Sequence, residues 1–338
     1  MSAIFTVDVI IPVFNAPALT RRCVDSVVSR LGRSIRYIYI QDDASEAETR
    51  DMLDQLPYEC IRVFHALRNQ GFGKSVNDAV ERSDATYVLI LNSDIVASED
   101  FLPALCAAFL ADPQLAVIIP AGNEYTKYHW EKYLRRPGGY VQTHRLRGYA
   151  FLIRRDVFVK MDGFDPAFGR GYYEDVDLGR RLDLQGWRLG VYPDARIEHK
   201  GGGSFGRGRS FRELARRNRE LYFSRYPNAG RHILLISGNR LPPQLPPEFL
   251  HAVDNVFQEG GYMDWLAPQL PPLSCLQMRG DSFPLSALAR LLIYNQHSRR
   301  CFRELWILPD APHLLTAVLA FCARLRGVKV KVVSWQWN

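Results

Sequence analysis

The first 120 residues alternate between short apolar segments and amphipathic segments, and this alternation constrains the fold more than any other feature of the chain. Strands are predicted for the apolar segments 7–13, 35–40, 61–64, 86–91 and 116–119. Helices are predicted between them. Strands that alternate with helices form a parallel sheet covered on both faces, so we predict an α/β fold. Ligands of such sheets bind at the carboxyl ends of the strands.

A second α/β unit is predicted after a break at residues 226–230, where Pro, Asn and Gly cluster. Its predicted elements are strands at 232–237, 273–278, 305–308 and 328–334, and helices at 284–294 and 313–325. The 338 residues suffice for two domains. We therefore predict a catalytic domain at residues 1–228 and a small C-terminal α/β domain, of unassigned role, at 229–338.

The net charge of +7 favours an anionic partner, such as nucleotide phosphates or an acidic lipid surface. Seven arginines lie between residues 205 and 225, which indicates either a solvated helix face or a phosphate- or membrane-binding surface. The recognised combinations of aromatic and basic residues of nucleic-acid binders are missing, so we expect no nucleic-acid partner.

The six cysteines are scattered without metal-binding spacing, which indicates a reducing compartment. No signal peptide is apparent, and the longest apolar run, residues 314–323, is about half of a bilayer span. We predict a cytoplasmic protein, with the inner face of the membrane as a surface that the arginine run and the apolar run at 314–323 could touch.

Polar side chains follow two of the predicted strands. Asp42 and Asp43 follow the second, and Asn92, Ser93 and Asp94 follow the fourth. A carboxylate at a strand end can accept hydrogen bonds from a base or a ribose, although acids at such junctions also cap helices. Asp94 could hold Mg²⁺ or Mn²⁺ together with phosphate oxygens, because both ions prefer oxygen ligands.

A glycine-containing loop, RNQGFGKSVN at residues 68–77, opens a predicted helix. Gly71 and Gly73 permit close backbone approach, and the helix N-terminus favours anions. Any tight turn would also use glycines, so this loop alone is weak evidence for a phosphate site.

Three acids, Glu174, Asp175 and Asp177, stand where another glycine- and aromatic-rich loop becomes an amphipathic helix. A short strand and then His199 follow, before the glycine-rich residues 201–208. Acids in a first helical turn also interact with the helix dipole, so they have a purely structural explanation as well. With His199 and the glycines, the pattern is typical of a catalytic base and a metal ligand beneath a mobile loop that closes over phosphates.

In this order the motifs VIIPVFNA, DDAS, RNQGFGKSVN, LNSD, YYEDVDLGRRL and His-x-x-Gly-x-Ser resemble the family 2 glycosyltransferases. These enzymes have the GT-A fold, a Rossmann-like mixed sheet. Within the family the chain is most similar to rhamnosyltransferase-like enzymes of bacterial surface polysaccharide synthesis. The resemblance covers about residues 5 to 225.

The resemblance implies a nucleotide-diphosphate sugar donor, and it assigns roles to individual residues. Asp175 would be the catalytic base, with Glu174 as the alternative base or an acceptor-binding residue. Asp94 and His199 would bind Mn²⁺ or Mg²⁺. The donor would be bound by Pro12, Phe14, Asn15, Asp42, Asp43, Asn69, Gly71, Lys74, Asn77, Asn92, Ser93 and Arg207. Asn92 departs from the family pattern, which has an acid at this position of an Asp-x-Asp motif.

The predicted function is inverting, metal-dependent sugar transfer to a glycan or lipid-linked acceptor. The donor would be dTDP-L-rhamnose or a UDP-sugar. The alternative is a nucleotide-sugar- or polysaccharide-binding module, or a scaffold of an assembly complex, that has lost catalysis. The substitution at Asn92 favours the alternative, whereas Asp94, Asp175 and His199 favour the enzyme.

Overall fold

The structure is a computed structural model that describes residues 5–200, 208–238, 245–281, 284–293 and 301–333. The chain divides into two compact units. The first comprises Met1–Trp130 and Arg135–Arg225, and the second Glu131–Leu134 and Tyr226–Asn338. The chain passes from the first unit to the second at Arg225, three residues before the boundary predicted at residue 228.

The first unit is built on one sheet, which has nine strands among the residues described. The strands are β1 Val7–Val13, β2 Ile38–Asp42, β3 Ile61–His65, β4 Tyr87–Leu91, β5 Ile95–Ala97, β6 Leu115–Ala121, β7 Val141–Thr143, β8 Ala150–Arg154 and β9 Arg188–His199. Their order is β3-β2-β1-β4-β8-β6-β9-β5, with β7 paired to β9. β1 and β6 are buried along their full length, as expected for strands covered on both faces.

The sheet is mixed, which corrects the expectation of a parallel sheet drawn from the alternation of elements. β1 to β4 are parallel to one another, but β8 runs antiparallel between β4 and β6. β5 and β7 also run antiparallel to β9. The segment AFLIR of β8 is apolar and almost fully buried. Such a segment would be buried whether the strand ran parallel or antiparallel to its neighbours, so its sequence does not reveal the orientation of the strand.

Seven α-helices of the first unit connect these strands within the described ranges. They are α1 Pro17–Leu31, α2 Ala47–Asp54, α3 Phe72–Arg82, α4 Leu102–Ala111, α5 Arg155–Lys160, α6 Glu174–Leu184 and α7 Arg209–Arg225. α1 begins at its proline and buries Cys23, Val27 and Leu31, whose spacing of four residues places them on one face.

The second unit contains a five-stranded parallel sheet of order β12-β11-β10-β13-β14. Its elements are β10 His232–Ile236, α8 Pro247–Gln258, β11 Tyr262–Leu266, β12 Met278–Asp281, α9 Pro284–Ile293, β13 Glu304–Ile307, α10 His313–Leu325 and β14 Lys329–Val332. One core forms where α8 packs on the sheet, and another where α9 and α10 pack on it.

The strand predicted at residues 273–278 is wrong, because only Met278 belongs to a strand. The apolar pattern of this segment reflects burial instead of a strand, because Leu273, Cys275 and Met278 are buried in the core of the second unit. α8 and β11 were not predicted. Within the described ranges, no helix has both the length and the apolar character needed to cross a bilayer.

Candidate active site

The first pocket lies at the carboxyl ends of β1, β2 and β4 and the start of α3. It is lined by Pro12, Val13, Phe14, Asp43, Asn69, Gly71, Phe72, Ser75, Asn92, Ser93, Arg170 and Phe211. Seven of these are residues that the sequence nominated for donor binding. Asn15, Asp42, Lys74 and Asn77 do not line this pocket, and Arg207 lies outside the described residues.

Asp42 and Asp43, adjacent in sequence, have different partners. Asp42 is fully buried at the end of β2, where its carboxylate accepts from the Ser45 N–H at 3.0 Å and contacts His65 Nδ1 at 2.8 Å. Asp43 accepts from the N–H groups of Gln70 at 2.7 Å and Gly71 at 2.8 Å. Burial raises the pKa of Asp43, and these N–H groups oppose the rise. Asp43 is therefore the acid of the pair that shapes the pocket.

Three of the nominated residues that do not line the pocket make contacts beside it: Asn15, Lys74 and Asn77. The Asn15 side chain accepts from the Glu46 N–H at 2.9 Å, which fixes the turn after β2. Lys74 is exposed and forms an ion pair with Asp78 one helical turn along. Asn77 donates to the carbonyl of Phe164 at 2.8 Å and accepts from its N–H at 2.9 Å, so it anchors the loop that leads to α6.

Gly71 allows two loops to meet at the pocket. Its φ of 92° lies in the region that favours glycine, and a Cβ atom here would stand 2.4 Å from the Arg170 Cα. This approach brings Arg170 to the pocket, where it is the cationic residue among the lining residues. Arg170 and Phe211 line the pocket but carry no motif signal in the sequence, so they were not predicted. Ser75 was not predicted either, although it lies inside the loop motif at residues 68–77.

Asp94 and His199 are brought together by the pairing of β5 with β9. Ile95 pairs with His199, so the preceding Asp94 faces the imidazole, with 3.5 Å between Asp94 Oδ1 and His199 Nε2. The Tyr149 ring stacks on the imidazole at 4.9 Å between centroids. Asp94 raises the pKa of His199.

The donor set around Asp94 fits a divalent cation. Within the described residues the buried Oδ1 of Asn92 has no hydrogen-bond partner, and the buried Oδ1 of Asp94 has only the 3.5 Å contact with His199. A bound cation would satisfy such atoms. His199 adds a nitrogen ligand that Mn²⁺ accepts. Nowhere in the described ranges do three His, Cys, Asp or Glu side chains converge to hold a metal.

The second cleft is formed around the start of α6. Its lining residues are Phe72, Asn92, Arg145, Leu146, Arg147, Gly148, Tyr149, Tyr172, Tyr173, Glu174, Asp175 and Val176. Tyr172 and Tyr173 precede the acids with φ of 70° and 75°. Such values are costly for aromatic residues, by about 1–3 kcal/mol each, and strain of this kind clusters at functional sites. α7 holds this loop, because the Asn218 amide donates to the carbonyl of Gly171 at 2.7 Å.

The two acids of this cleft differ in environment. Asp175 is half-buried, and its carboxylate accepts from the N–H groups of Gly148 and Val176, both at 2.8 Å. Glu174 is only 7% exposed, and its Oε2 has no hydrogen-bond partner among the residues described. Burial, together with the charge of Asp175, raises the pKa of Glu174 to about 8. At neutral pH Glu174 therefore holds a proton.

Asp177 has a structural role. Its carboxylate accepts from Arg181 Nε at 2.8 Å, one helical turn along. Arg181 also donates to the carbonyls of Met161 and Gly163. Asp177 thereby ties the start of α6 to the preceding loop.

The first pocket and the second cleft share Phe72 and Asn92, so they adjoin. A sequence model described as glycosyl transferase family 2 matches residues 8–169, which carry the first pocket apart from Arg170 and Phe211. Residues 8–169 therefore belong to a family 2 glycosyltransferase domain. Over these residues the family predicted from the motifs is confirmed.

A curated relative of the family 2 domain comes from Mycobacterium tuberculosis. This N-acetylglucosaminyl-diphospho-decaprenol L-rhamnosyltransferase is 40% identical over a stretch that covers 44% of the chain and 62% of the relative. The chain therefore spans less than two thirds of that relative's length.

Solved structures show the fold of the family 2 domain. A mannosyltransferase of Pyrobaculum calidifontis, in complex with GDP-Man and Mn²⁺, aligns with a TM-score of 0.52 at 18% identity, covering 74% of this chain and 69% of that one. GalNAc-T7 with UDP, GalNAc and Mn²⁺ aligns with a TM-score of 0.53 at 18% identity, covering 67% and 51%. The predicted GT-A fold is confirmed.

Proposed function

We propose that this protein is an inverting, metal-assisted glycosyltransferase that transfers a sugar from a nucleotide-diphosphate donor to a glycan or lipid-linked acceptor. The observation that supports it most directly is the junction of the two cavities at Phe72 and Asn92. A donor in the first pocket would direct its sugar towards the cleft that holds Asp175. Transfer requires this adjacency of donor and base.

The first pocket suits a nucleotide with two phosphates. Asp43 would accept from the base or the ribose, beside the apolar walls of Pro12 and Phe14. Arg170 would supply positive charge to the diphosphate, which leaves with added negative charge. In this proposal Arg170 has the donor-binding role that the resemblance gave to Arg207.

Asp94 and His199 would hold Mn²⁺ or Mg²⁺, with Asn92 as a neutral neighbour. Two protein ligands leave room for oxygens of the donor phosphates, which accords with the lack of a larger ligand cluster among the residues described. When bound, the cation supplies countercharge for the leaving diphosphate. The mannosyltransferase and GalNAc-T7 structures, which share this fold, both contain Mn²⁺.

Asp175 would be the general base. An inverting transfer needs one carboxylate across the anomeric carbon from the diphosphate, to accept the proton of the attacking hydroxyl. Asp175 lines the cleft, and its carboxylate is oriented by the Gly148 N–H. Glu174 is almost fully buried and carries a proton, so it would donate a hydrogen bond to substrate or to a neighbouring group.

The name of the M. tuberculosis relative gives L-rhamnosyl transfer to a diphosphate-linked lipid acceptor. We accordingly propose dTDP-L-rhamnose as the first donor to test, UDP-sugars as the second, and surface polysaccharide synthesis at the cytoplasmic side as the setting. The cleft with Arg145 and Arg147 beside Asp175 suits an acceptor that carries phosphate.

The test is a thermal-shift screen of nucleotide sugars with and without Mn²⁺, followed by a transfer assay with each donor that binds. A ligand that binds only the folded state raises the melting temperature. We expect one donor to bind in a Mn²⁺-dependent manner and to be turned over. Mn²⁺-dependent binding without transfer, even to water, would favour the alternative of a binding module that has lost catalysis.

A further inference from the structure

Helix α10 of the second unit has two apolar faces instead of one. Its inner face buries Thr316, Leu319, Ala320 and Ala323 against the sheet. Four further apolar side chains remain exposed to solvent: Leu314 (82%), Val318 (44%), Phe321 (63%) and Leu325 (68%). We call these four residues the outer stripe.

The outer stripe is a straight ridge. With about 100° between successive residues, its four members fall within about 60° of one another around the helix axis. The inner face is centred about 180° away. An ordinary surface helix presents polar side chains opposite its buried face, so a continuous apolar ridge in this place requires an explanation.

Other exposed apolar side chains lie on the same side of the sheet. α9 packs beside α10 in the same core and exposes Leu285 (74%) and Leu292 (48%). Val332 of the edge strand is 72% exposed, and Val330, two residues earlier on the same face of the strand, packs in that core.

The helices that carry these apolar side chains are free of acids in their sequences. α10 contains Arg324, which is exposed, and neither α10 nor α9 contains Asp or Glu. Lys329 and Lys331 lie on the opposite face of β14 from Val330 and Val332, where Lys331 pairs with Glu304, so they do not border the stripe. An apolar ridge on an acid-free helix with an exposed arginine complements an anionic lipid surface.

We propose that the outer stripe docks this protein onto an anionic membrane surface, with α10 lying in the headgroup region. The helix has 13 residues, so it lies on a bilayer and does not cross one. The apolar ridge enters the boundary between headgroups and acyl chains, and the exposed Arg324 of the same helix contacts the lipid phosphates. The proposal does not depend on the sugar or the acceptor.

The test is co-sedimentation of the full chain with phosphatidylcholine vesicles that contain about 30% phosphatidylglycerol, compared with pure phosphatidylcholine vesicles. We expect binding to the anionic vesicles that weakens as salt is raised. The double substitution Leu314→Ser and Phe321→Ser should reduce the partition coefficient about tenfold or more, because it removes the two most prominent apolar groups of the ridge. Both side chains are mostly exposed, so the melting temperature should stay unchanged.

Two further variants separate the contribution of charge to vesicle binding from that of the apolar side chains. Arg324→Glu should weaken binding to anionic vesicles and leave the weak binding to neutral vesicles unchanged. Leu67→Ser makes the same chemical change at an exposed leucine of the first unit, and it should leave vesicle binding at the wild-type level. The proposal is overturned if vesicles do not retain the wild-type protein or if the double variant binds them equally well. It is also overturned if light scattering shows a dimer that the double variant dissociates, because a second copy would then cover the stripe.

Discussion

At the start of α6 two adjacent carboxyl groups have different environments. Asp175 receives two backbone N–H groups, while Glu174 is buried beside it, and its Oε2 has no hydrogen-bond partner among the residues described. Burial and the neighbouring Asp175 raise the pKa of Glu174 to about 8, and different environments of this kind suit neighbouring acids to distinct roles.

The first prediction compares Asp175→Asn with Glu174→Gln in a transfer assay. Asp175→Asn keeps the shape and removes the basicity, so we expect turnover to fall about 10²-fold or more with unchanged donor affinity. Glu174→Gln replaces one neutral hydrogen-bond donor by another and should retain most of the turnover at pH 7. If the two variants exchange these behaviours, Glu174 is the base.

The second prediction concerns how the free energy of unfolding depends on pH. The folded-state pKa of Glu174 is raised to about 8 from 4.5, so its stabilising protonation is complete at low pH and is lost as the pH rises through 8. Glutamine cannot ionise. The free energy of unfolding of the wild type should therefore fall relative to that of Glu174→Gln between pH 5 and pH 8, by on the order of 4 kcal/mol in total, and change little above pH 8.

Chemical denaturation at several pH values measures this difference. Asp175→Asn serves as a second comparison, because removal of the neighbouring charge should lower the pKa of Glu174 and flatten the pH dependence. A constant difference between wild type and Glu174→Gln across this range would show that Glu174 titrates normally.

At the scale of elements, the segment before β8 positions the carboxylate of Asp175. A Cβ atom on Gly148 would stand 2.9 Å from the Asp175 Cβ and 3.3 Å from its Oδ2, which is too close for both to keep their places. The Gly148 N–H also donates to that oxygen. The approach of this segment to the start of α6 thus fixes the carboxylate.

The third prediction is that Gly148→Ala lowers kcat about 10²-fold while the donor affinity stays near the wild-type value. A displacement of about 1 Å at a reacting group is enough for such a loss. Steady-state kinetics and the donor-induced thermal shift measure the two quantities. A wild-type kcat would mean that Asp175 tolerates displacement or does not act in the chemical step.

The sequence predicted most elements of the first unit, because strands such as β1 and helices such as α1 have clear periodicity and end signals. It did not predict β5, whose three residues form a strand only through pairing with β9. That pairing brings Asp94 to His199, so the contact between the two predicted ligands depends on an element that local pattern could not reveal.

The candidate site was likewise predicted in part. Asp43, Gly71 and Asn92 were nominated from motifs and line the pocket. Arg170 reaches the same pocket only because Gly71 lets the two loops approach. Long-range contacts of this kind have no period in the sequence, so no pattern within the chain could have nominated Arg170.

At the scale of the whole molecule, the motifs and both cavities lie in the first unit, and the second unit has its own sheet and its own cores. The segment Glu131–Leu134 belongs to the second unit, although in sequence it lies between two parts of the first unit. Leu134 N–H donates to the Leu273 carbonyl at 2.9 Å, and Leu273 N–H donates to the Lys132 carbonyl at 2.8 Å. This segment therefore loses its hydrogen-bond partners when the second unit is removed.

The last prediction is that a truncated chain of residues 1–230 still binds nucleotide diphosphate in a Mn²⁺-dependent manner. All described residues of the first pocket, together with Asp94 and His199, are within it. Because the hydrogen bonds of residues 131–134 are lost, limited proteolysis should cut the truncated chain at this segment and spare it in the full chain. Nucleotide and Mn²⁺ should raise the melting temperature of both proteins by similar amounts. Circular dichroism establishes that the truncated chain is folded, and failure of the folded chain to bind nucleotide would show that donor binding requires the second unit.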